Sequence, residues 1–137
     1  MHDQGVVHQD VSPYNILIRS PDVTAKLADF GLASDSLDPA PRRETGGTPG
    51  YIAPEVFHGA PPSPRSDLYS LGVVAYRLLT RSAAVVQRVP LVDACPSLPR
   101  ALNEAVERAL ADDPDERQES VAGFRAELID ALEAVAA

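Results

Sequence analysis

The sequence predicts a mainly α-helical domain with a small β-hairpin near its N-terminal edge, an α+β arrangement in which helices carry the core. Three observations predict it. Two short apolar runs, Ile16-Leu17-Ile18 and Ala25-Lys26-Leu27-Ala28, flank the turn-forming Ser20-Pro21-Asp22, which is the pattern of a hairpin. Three later stretches, beginning near Ser63, Pro99 and Ser120, place apolar residues at helical spacing. The 137 residues are 45% hydrophobic and 23% charged, enough for one domain that buries roughly two-thirds of its unfolded surface.

Taken in order, Val6-Val7 is an apolar pair that leads into the polar stretch His8–Asn15. Ile16-Leu17-Ile18 reads as a brief buried strand, residues 19–24 as the turn, and 25–28 as the returning strand. Such a hairpin brings Asn15, just before one strand, close to Asp29, just after the other. Ser34 to Pro49 is polar, without period, and reads as a long mobile loop of the kind that is usually functional or disordered. Ser63 and Pro64 supply a cap and first turn for a helix to about Thr80. Leu68, Leu71, Gly72, Ala75, Leu78 and Leu79 share one face of it, and Val73, Val74 and Tyr76 add apolar surface elsewhere, so it belongs in the middle of the domain. A second helix runs from about Pro99 to Ala111, with Leu102, Ala105, Val106, Ala109 and Leu110 as its buried stripe, and Asp112-Asp113-Pro114 stops it. A third starts near Ser120 with Val121, Phe124, Leu128, Leu132 and Val135 on one face and Arg125, Glu127 and Glu133 opposite. The 13 prolines cluster at 39–64 and 90–99, which marks those regions as loop-rich.

With 12 basic against 20 acidic residues, the net charge of −8 repels polyphosphate surfaces and argues against nucleic-acid binding. A nucleotide stays compatible, because a bound divalent cation offsets local acidity. The single cysteine, Cys95, forms no internal disulfide and fits a reducing compartment; with no His or Lys nearby it reads as a small packing residue. No apolar run approaches the roughly 20 residues of a membrane span, since Leu71 to Leu79 is broken by Arg77. The N-terminus lacks the basic cluster and apolar core of a signal peptide. The chain is expected to be soluble and cytoplasmic. His2 and His58 read as single exposed histidines without metal-ligand spacing.

The chemistry concentrates in His8-Gln9-Asp10-Val11-Ser12-Pro13-Tyr14-Asn15 and in Asp29-Phe30-Gly31. Asn15 lies five positions after Asp10, and Asp29 fourteen after Asn15. Two carboxylates and an amide at the ends of a hairpin can orient a hydroxyl and hold magnesium beside a phosphate. Thr45-Gly46-Gly47-Thr48-Pro49-Gly50-Tyr51-Ile52-Ala53-Pro54-Glu55 follows, then Asp67 and Arg117. On these motifs the chain resembles the protein kinase family, serine/threonine type and bacterial-looking, over nearly all of its length but only over the second half of a kinase domain.

The resemblance implies the large, mainly helical C-terminal lobe of a kinase, with a catalytic loop at 8–15, an activation segment at 29–55 and a helical subdomain at 63–137. It implies transfer of the γ-phosphate of ATP, with Mg2+, to a serine or threonine hydroxyl of a protein substrate. Asp10 is then the catalytic base, Asn15 and Asp29 the metal and cofactor ligands, and Thr48 a contact of Asp10 on the substrate side. Glu55 pairs with Arg117, Asp67 anchors the catalytic-loop backbone, and His8 packs beneath the loop. Gly47-Thr48-Pro49 argues against tyrosine specificity.

The departures matter as much. Gln9 stands where relatives carry a phosphate-reading arginine, and a neutral amide cannot neutralise a phosphate; this weakens any switch through phosphorylated Thr45, Ser34 or Ser36. Ser12 replaces a lysine that helps stabilise the transferring phosphate. Thr80 to Ser97 leaves little room for the helix that docks protein substrates. No Gly-rich phosphate loop and no Val-Ala-Ile-Lys strand occur. The expectation is therefore a polypeptide inactive alone: a truncated product, a start placed too late, or half of a split domain whose small lobe comes from a separate chain. Two other classes stay open, a non-catalytic pseudokinase-like scaffold or regulatory module, and a small-molecule phosphotransferase of the aminoglycoside or choline type, which Ala53-Pro54-Glu55, Asp67 and Arg117 fit poorly.

Overall fold

In the computed structural model, which describes residues 1–35, 46–82 and 89–136, two small antiparallel ribbons sit on a helical body. A 3-10 turn at His2–Gln4 precedes β1 (Val6–Val7). A second 3-10 turn, Pro13–Asn15, leads into β2 (Ile16–Arg19), which pairs with β3 (Thr24–Leu27) from Ile16↔Leu27 to Arg19↔Thr24. The turn of this hairpin carries an Arg19–Asp22 ion pair at 3.0 Å, and the guanidinium holds the Asp22 carboxyl below its ordinary range. Then β4 (Ser34–Asp35) returns to β1, with Val7 opposite Ser34 and Val6 opposite Asp35.

The body consists of α1 (Pro54–Phe57), α2 (Pro64–Thr80), α3 (Leu91–Ala94), α4 (Arg100–Ala109) and α5 (Val121–Ala136). A reciprocal cap starts α2: the Ser63 hydroxyl accepts from the Ser66 amide and the Ser66 hydroxyl from the Ser63 amide. Caps of this kind contribute about 1 kcal/mol. The helix ends where Arg81 turns left-handed at φ 54°. Gly72 is where α2 meets α4. A Cβ there would stand 3.0 Å from the Ala109 Cβ and 3.3 Å from Leu110 Cδ2, so no larger residue permits this approach unshifted. Leu68, Val73, Val106, Leu110 and Phe124 form the centre of the core, each such side chain contributing roughly 1.5–3 kcal/mol by burial.

Several expectations are corrected. Ile16-Leu17-Ile18 does not form a buried strand: Leu17 is 58% and Ile18 69% exposed, and of the three only Ile16 packs against the core. Ser34–Asp35, expected in the long loop, is a strand, paired with a partner too distant in sequence for any local pattern to signal. The part of that loop at 36–45, and residues 83–88 of the stretch after α2, lie outside the described residues. In α2, Leu68, Gly72, Val73, Val74 and Tyr76 are buried and Leu71, Ala75 and Leu79 pack against the core as expected, but Leu78 is out in solvent, and Ser66 and Ser70 join the buried surface. In α5, Phe124 and Ala131 are buried while Leu132 and Val135 are exposed. Val121, Phe124 and Leu128 join the core as expected, whereas Glu127, Ala131 and Ala134 line an open groove of about 510 Å³ beside α4; one residue along a helix turns the side chain by about 100°. Glu127 is accordingly not on a free face but bound to Arg108 at 3.0 Å and to Gln118 at 2.7 Å. Among the described residues no helix is long and apolar enough to cross a membrane.

Candidate active site

The polar stretch after β1 is fixed from below by one carboxylate. Asp67, in the first turn of α2 and 2% exposed, accepts the His8 amide at 2.7 Å and the Gln9 amide at 2.8 Å, and His2 Nε2 donates to it at 2.8 Å. His2 is therefore a structural partner of Asp67 rather than the exposed histidine its sequence context suggests. A buried carboxylate with three donors is satisfied without solvent, and it holds Gln9 in a left-handed conformation at φ 68°. The Gln9 side-chain amide in turn donates to the Ser34 hydroxyl, which ties the loop to β4.

His8 is fully buried. Its Nε2–H donates to the Ala28 carbonyl at 3.0 Å, its Nδ1 accepts the Asp10 amide at 3.3 Å, and its ring meets Phe30 edge-on with centroids 4.7 Å apart. The partners fix the tautomer, since a carbonyl only accepts and an amide only donates. On the other side of the same residue, the Ala28 amide donates to the Asn15 carbonyl at 2.8 Å. The backbone just before Asp29 is thus gripped from both sides.

Asp10 and Asn15 meet directly. The Asn15 side-chain amide donates to the Asp10 carbonyl and to Asp10 Oδ2, both at 2.8 Å. Both are acceptors, so the nitrogen must face Asp10 and the Asn15 Oδ1 is the end left for a cation. Asp10 Oδ1 accepts the Thr48 amide at 2.7 Å and the Thr48 hydroxyl at 2.6 Å. Thr48 Oγ1 also lies 3.2 Å from Ser12 Oγ. Three of the four residues expected at the site, Asp10, Asn15 and Thr48, are therefore one hydrogen-bonded group. Asp29 is linked to them only through the backbone. It is exposed, sits at φ 58°, and its Oδ1 accepts the Gly31 amide at 3.2 Å. Among the described residues no hydrogen bond joins its carboxylate to Asp10 or Asn15. Neither the α4–α5 groove nor the small cavity beneath Gln9 is lined by Asp10, Asn15 or Asp29.

The donor set suits a hard cation that keeps other oxygen ligands. Asn15 Oδ1 and the Asp29 carboxylate are oxygens, and no group of three or more His, Cys, Asp or Glu among the described residues could hold a metal unaided. Magnesium is usually held by one or two such protein oxygens, with phosphate and water completing the shell.

The far end of the segment is anchored as the family resemblance implies. Glu55, in α1, makes a two-pronged ion pair with Arg117, both contacts at 2.7 Å. Arg117 is 1% exposed and also donates to the carbonyls of Ala111 and Arg65 at 2.9 Å and of Asp112 at 3.2 Å, so all five of its N–H groups are used. Its guanidinium lies over the Tyr69 ring. Sequence reasoning missed His2, and it missed the contacts of Ser12 and Ser34. Only a carboxylate without its full set of donors, Asp67, offered any signal for the first.

A family model described as the protein kinase domain matches residues 1–119. The serine/threonine-protein kinase PknA of Mycobacterium tuberculosis is 39% identical over 137 aligned positions, covering 90% of this chain and 31% of that protein. Calcium/calmodulin-dependent protein kinase type 1 of Macrobrachium nipponense is 49% identical over 81 residues, 58% of this chain and 23% of that relative. The solved kinase domain of Mycobacterium tuberculosis PknI superposes with a TM-score of 0.75 at 32% identity, over 96% of this chain and 48% of its own length. The chain thus spans about half of a solved kinase domain and under a third of PknA.

Proposed function

Because the chain belongs to the protein kinase family, we propose that the face built from residues 8–15, 29–31 and 46–55 is the catalytic half of a serine/threonine kinase site, which moves the γ-phosphate of ATP to a serine or threonine hydroxyl of a protein. The observation that carries this reading is the Asp10 carboxylate: Oδ1 is held by both Thr48 donors, and Oδ2 is oriented by Asn15. A carboxylate pinned in this way keeps a lone pair on Oδ2 for a substrate hydroxyl, and a base of this kind accelerates transfer roughly 10²–10⁴-fold. Asn15 Oδ1 and the Asp29 carboxylate are the oxygens that would hold magnesium with ATP, where the ion supplies charge neutralisation at the phosphates. Residues 8–15 act as catalytic loop, 29–55 as activation segment and 63–137 as the helical subdomain that supports both.

The 137 residues contain no Gly-rich loop to cover the phosphates. Tyr14 at 79%, Ile18 at 69% and Phe30 at 51% exposure crowd the hairpin side of the site. A covering lobe, from the remainder of a longer chain or from a separate one, would bury this apolar surface. Without it the site lacks its roof and water exclusion, and catalysis that rests on positioning and preorganisation is lost. A second reading, a non-catalytic scaffold that offers this face to another kinase, is favoured by the same exposure and by Gln9 and Ser12.

The test is transfer of labelled phosphate to a basic protein, by the chain alone and with the small lobe of PknA added, together with thermal melting in magnesium-ATP. The enzyme reading expects transfer with the added lobe and its loss in Asp10→Asn, and a melting shift that Asp29→Ala removes. Neither shift nor transfer under any of these conditions leaves the scaffold.

A further inference from the structure

We propose that Ser12 is a positioning residue for Asp10, acting through the Thr48 hydroxyl; the inference rests on the reading of Asp10 as the base. Thr48 Oγ1 stands 2.6 Å from Asp10 Oδ1 and 3.2 Å from Ser12 Oγ. A hydroxyl has one proton to give. An ionised carboxylate only accepts and lies closer, so the Thr48 proton goes to Asp10. The bond to Ser12 then runs in the other sense, with the Ser12 hydroxyl donating to Thr48 Oγ1. The three side chains form a one-way relay: Ser12 to Thr48 to Asp10.

Two further observations separate this from an incidental buried serine. Ser12 occupies the N-cap position of the 3-10 turn Pro13–Asn15, where a serine hydroxyl ordinarily accepts an amide of the first turn, yet it makes no side-chain cap bond. Its hydroxyl is directed at Thr48 instead. Ser12 is also 0% exposed, so water does not take over the donor role when the hydroxyl is removed. A donor feeding the Thr48 oxygen polarises the bond that Thr48 makes onward, and it fixes the side-chain torsion on which that bond depends. The Thr48 amide shares the same Oδ1 at 2.7 Å. Loosening the hydroxyl therefore frees the carboxylate that the amide holds. In this chain a short neutral serine, two residues beyond the base, sets the orientation of that base from behind.

Amide hydrogen exchange in the isotope-labelled 137-residue chain tests the relay without nucleotide. Ser12→Ala should speed exchange at the Thr48 amide about tenfold. The His8 and Gln9 amides, held by Asp67, should stay within about twofold of the parent and report that the loop itself is intact. In the Thr48→Val background, Ser12→Ala should add nothing at residue 48. The proposal is overturned if Thr48 exchange is unchanged in Ser12→Ala, if His8 and Gln9 loosen equally, or if the effect survives Thr48→Val. Because no phosphate transfer is read, a failure here leaves the kinase reading standing, and a failure of transfer leaves this measurement to be judged by itself.

Discussion

Replacing Arg117 by methionine removes a guanidinium of similar reach while keeping an apolar stem, and its cost can be worked from the contacts. Glu55 is left with a carboxylate whose side chain is only 16% exposed and which no longer has its counter-ion, a loss of roughly 3–5 kcal/mol when one partner of a buried pair is deleted. The carbonyls of Ala111, Asp112 and Arg65 lose a donor as well, at about 1 kcal/mol each where water does not replace it. Water will reach some of them, so the expected total is about 4–6 kcal/mol. A domain of this length has roughly 7–20 kcal/mol of stability in all, so Arg117→Met should unfold a large part of the population at moderate denaturant. Urea titration followed by far-ultraviolet circular dichroism reads this directly. Combined with Glu55→Gln, the double variant should lose less than the sum of the singles by at least about 2 kcal/mol, since the second change removes the orphaned charge left by the first. Arg117→Lys keeps the charge but not the fork, and should recover only part of the loss. If Arg117→Met stays within about 1 kcal/mol of the parent, or the two substitutions add, the pair is not what fastens α1 to the helical body.

Two other outcomes follow from the same accounting of partners. Asp67→Asn turns one accepting oxygen into a donor facing amides that also donate, so it should cost roughly 1–3 kcal/mol in urea and raise exchange at the His8 and Gln9 amides above that of core amides in α2. Leu17→Lys with Ile18→Lys should leave the urea midpoint within about 0.5 kcal/mol, because exposed positions contribute little; dye binding by 1-anilinonaphthalene sulfonate and self-association in sedimentation should both fall, and an unchanged dye signal would place the sticky surface elsewhere.

What the sequence discloses is whatever has a local cause. The Ser63–Pro64 start of α2, the alanine-rich stripe of α4 and the turn between β2 and β3 follow from caps, periodicity and turn chemistry, and they stand where their residues put them. The Asp10–Asn15 contact follows from a fixed spacing across one short turn. The Glu55–Arg117 pair lies 62 residues apart and was legible only because a family resemblance supplied both ends. Non-local causes left no trace. Nothing near Ser34 and Asp35 announces that they will pair with Val6 and Val7, and nothing in Met1-His2-Asp3 announces Asp67. Apolar patterning also misleads at boundaries. Leu17, Ile18, Leu132 and Val135 have the composition of core residues and lie in solvent, since a pattern states what a face prefers and not whether a neighbour is there to meet it.

Two non-glycine residues of the proposed site sit at positive φ, Gln9 at 68° and Asp29 at 58°, backbone conformations that most side chains avoid. Glycine would adopt either at ease. Relaxation and chemistry therefore pull in opposite directions at this edge: a chain mutated to be as robust as possible would drift toward glycine at both positions and would discard the Asp29 carboxylate on the way. If Asp29 has the role proposed for it, ranking variants of this protein by melting temperature would reward those that had lost it. A screen for working variants should look for sequences that tolerate the strain.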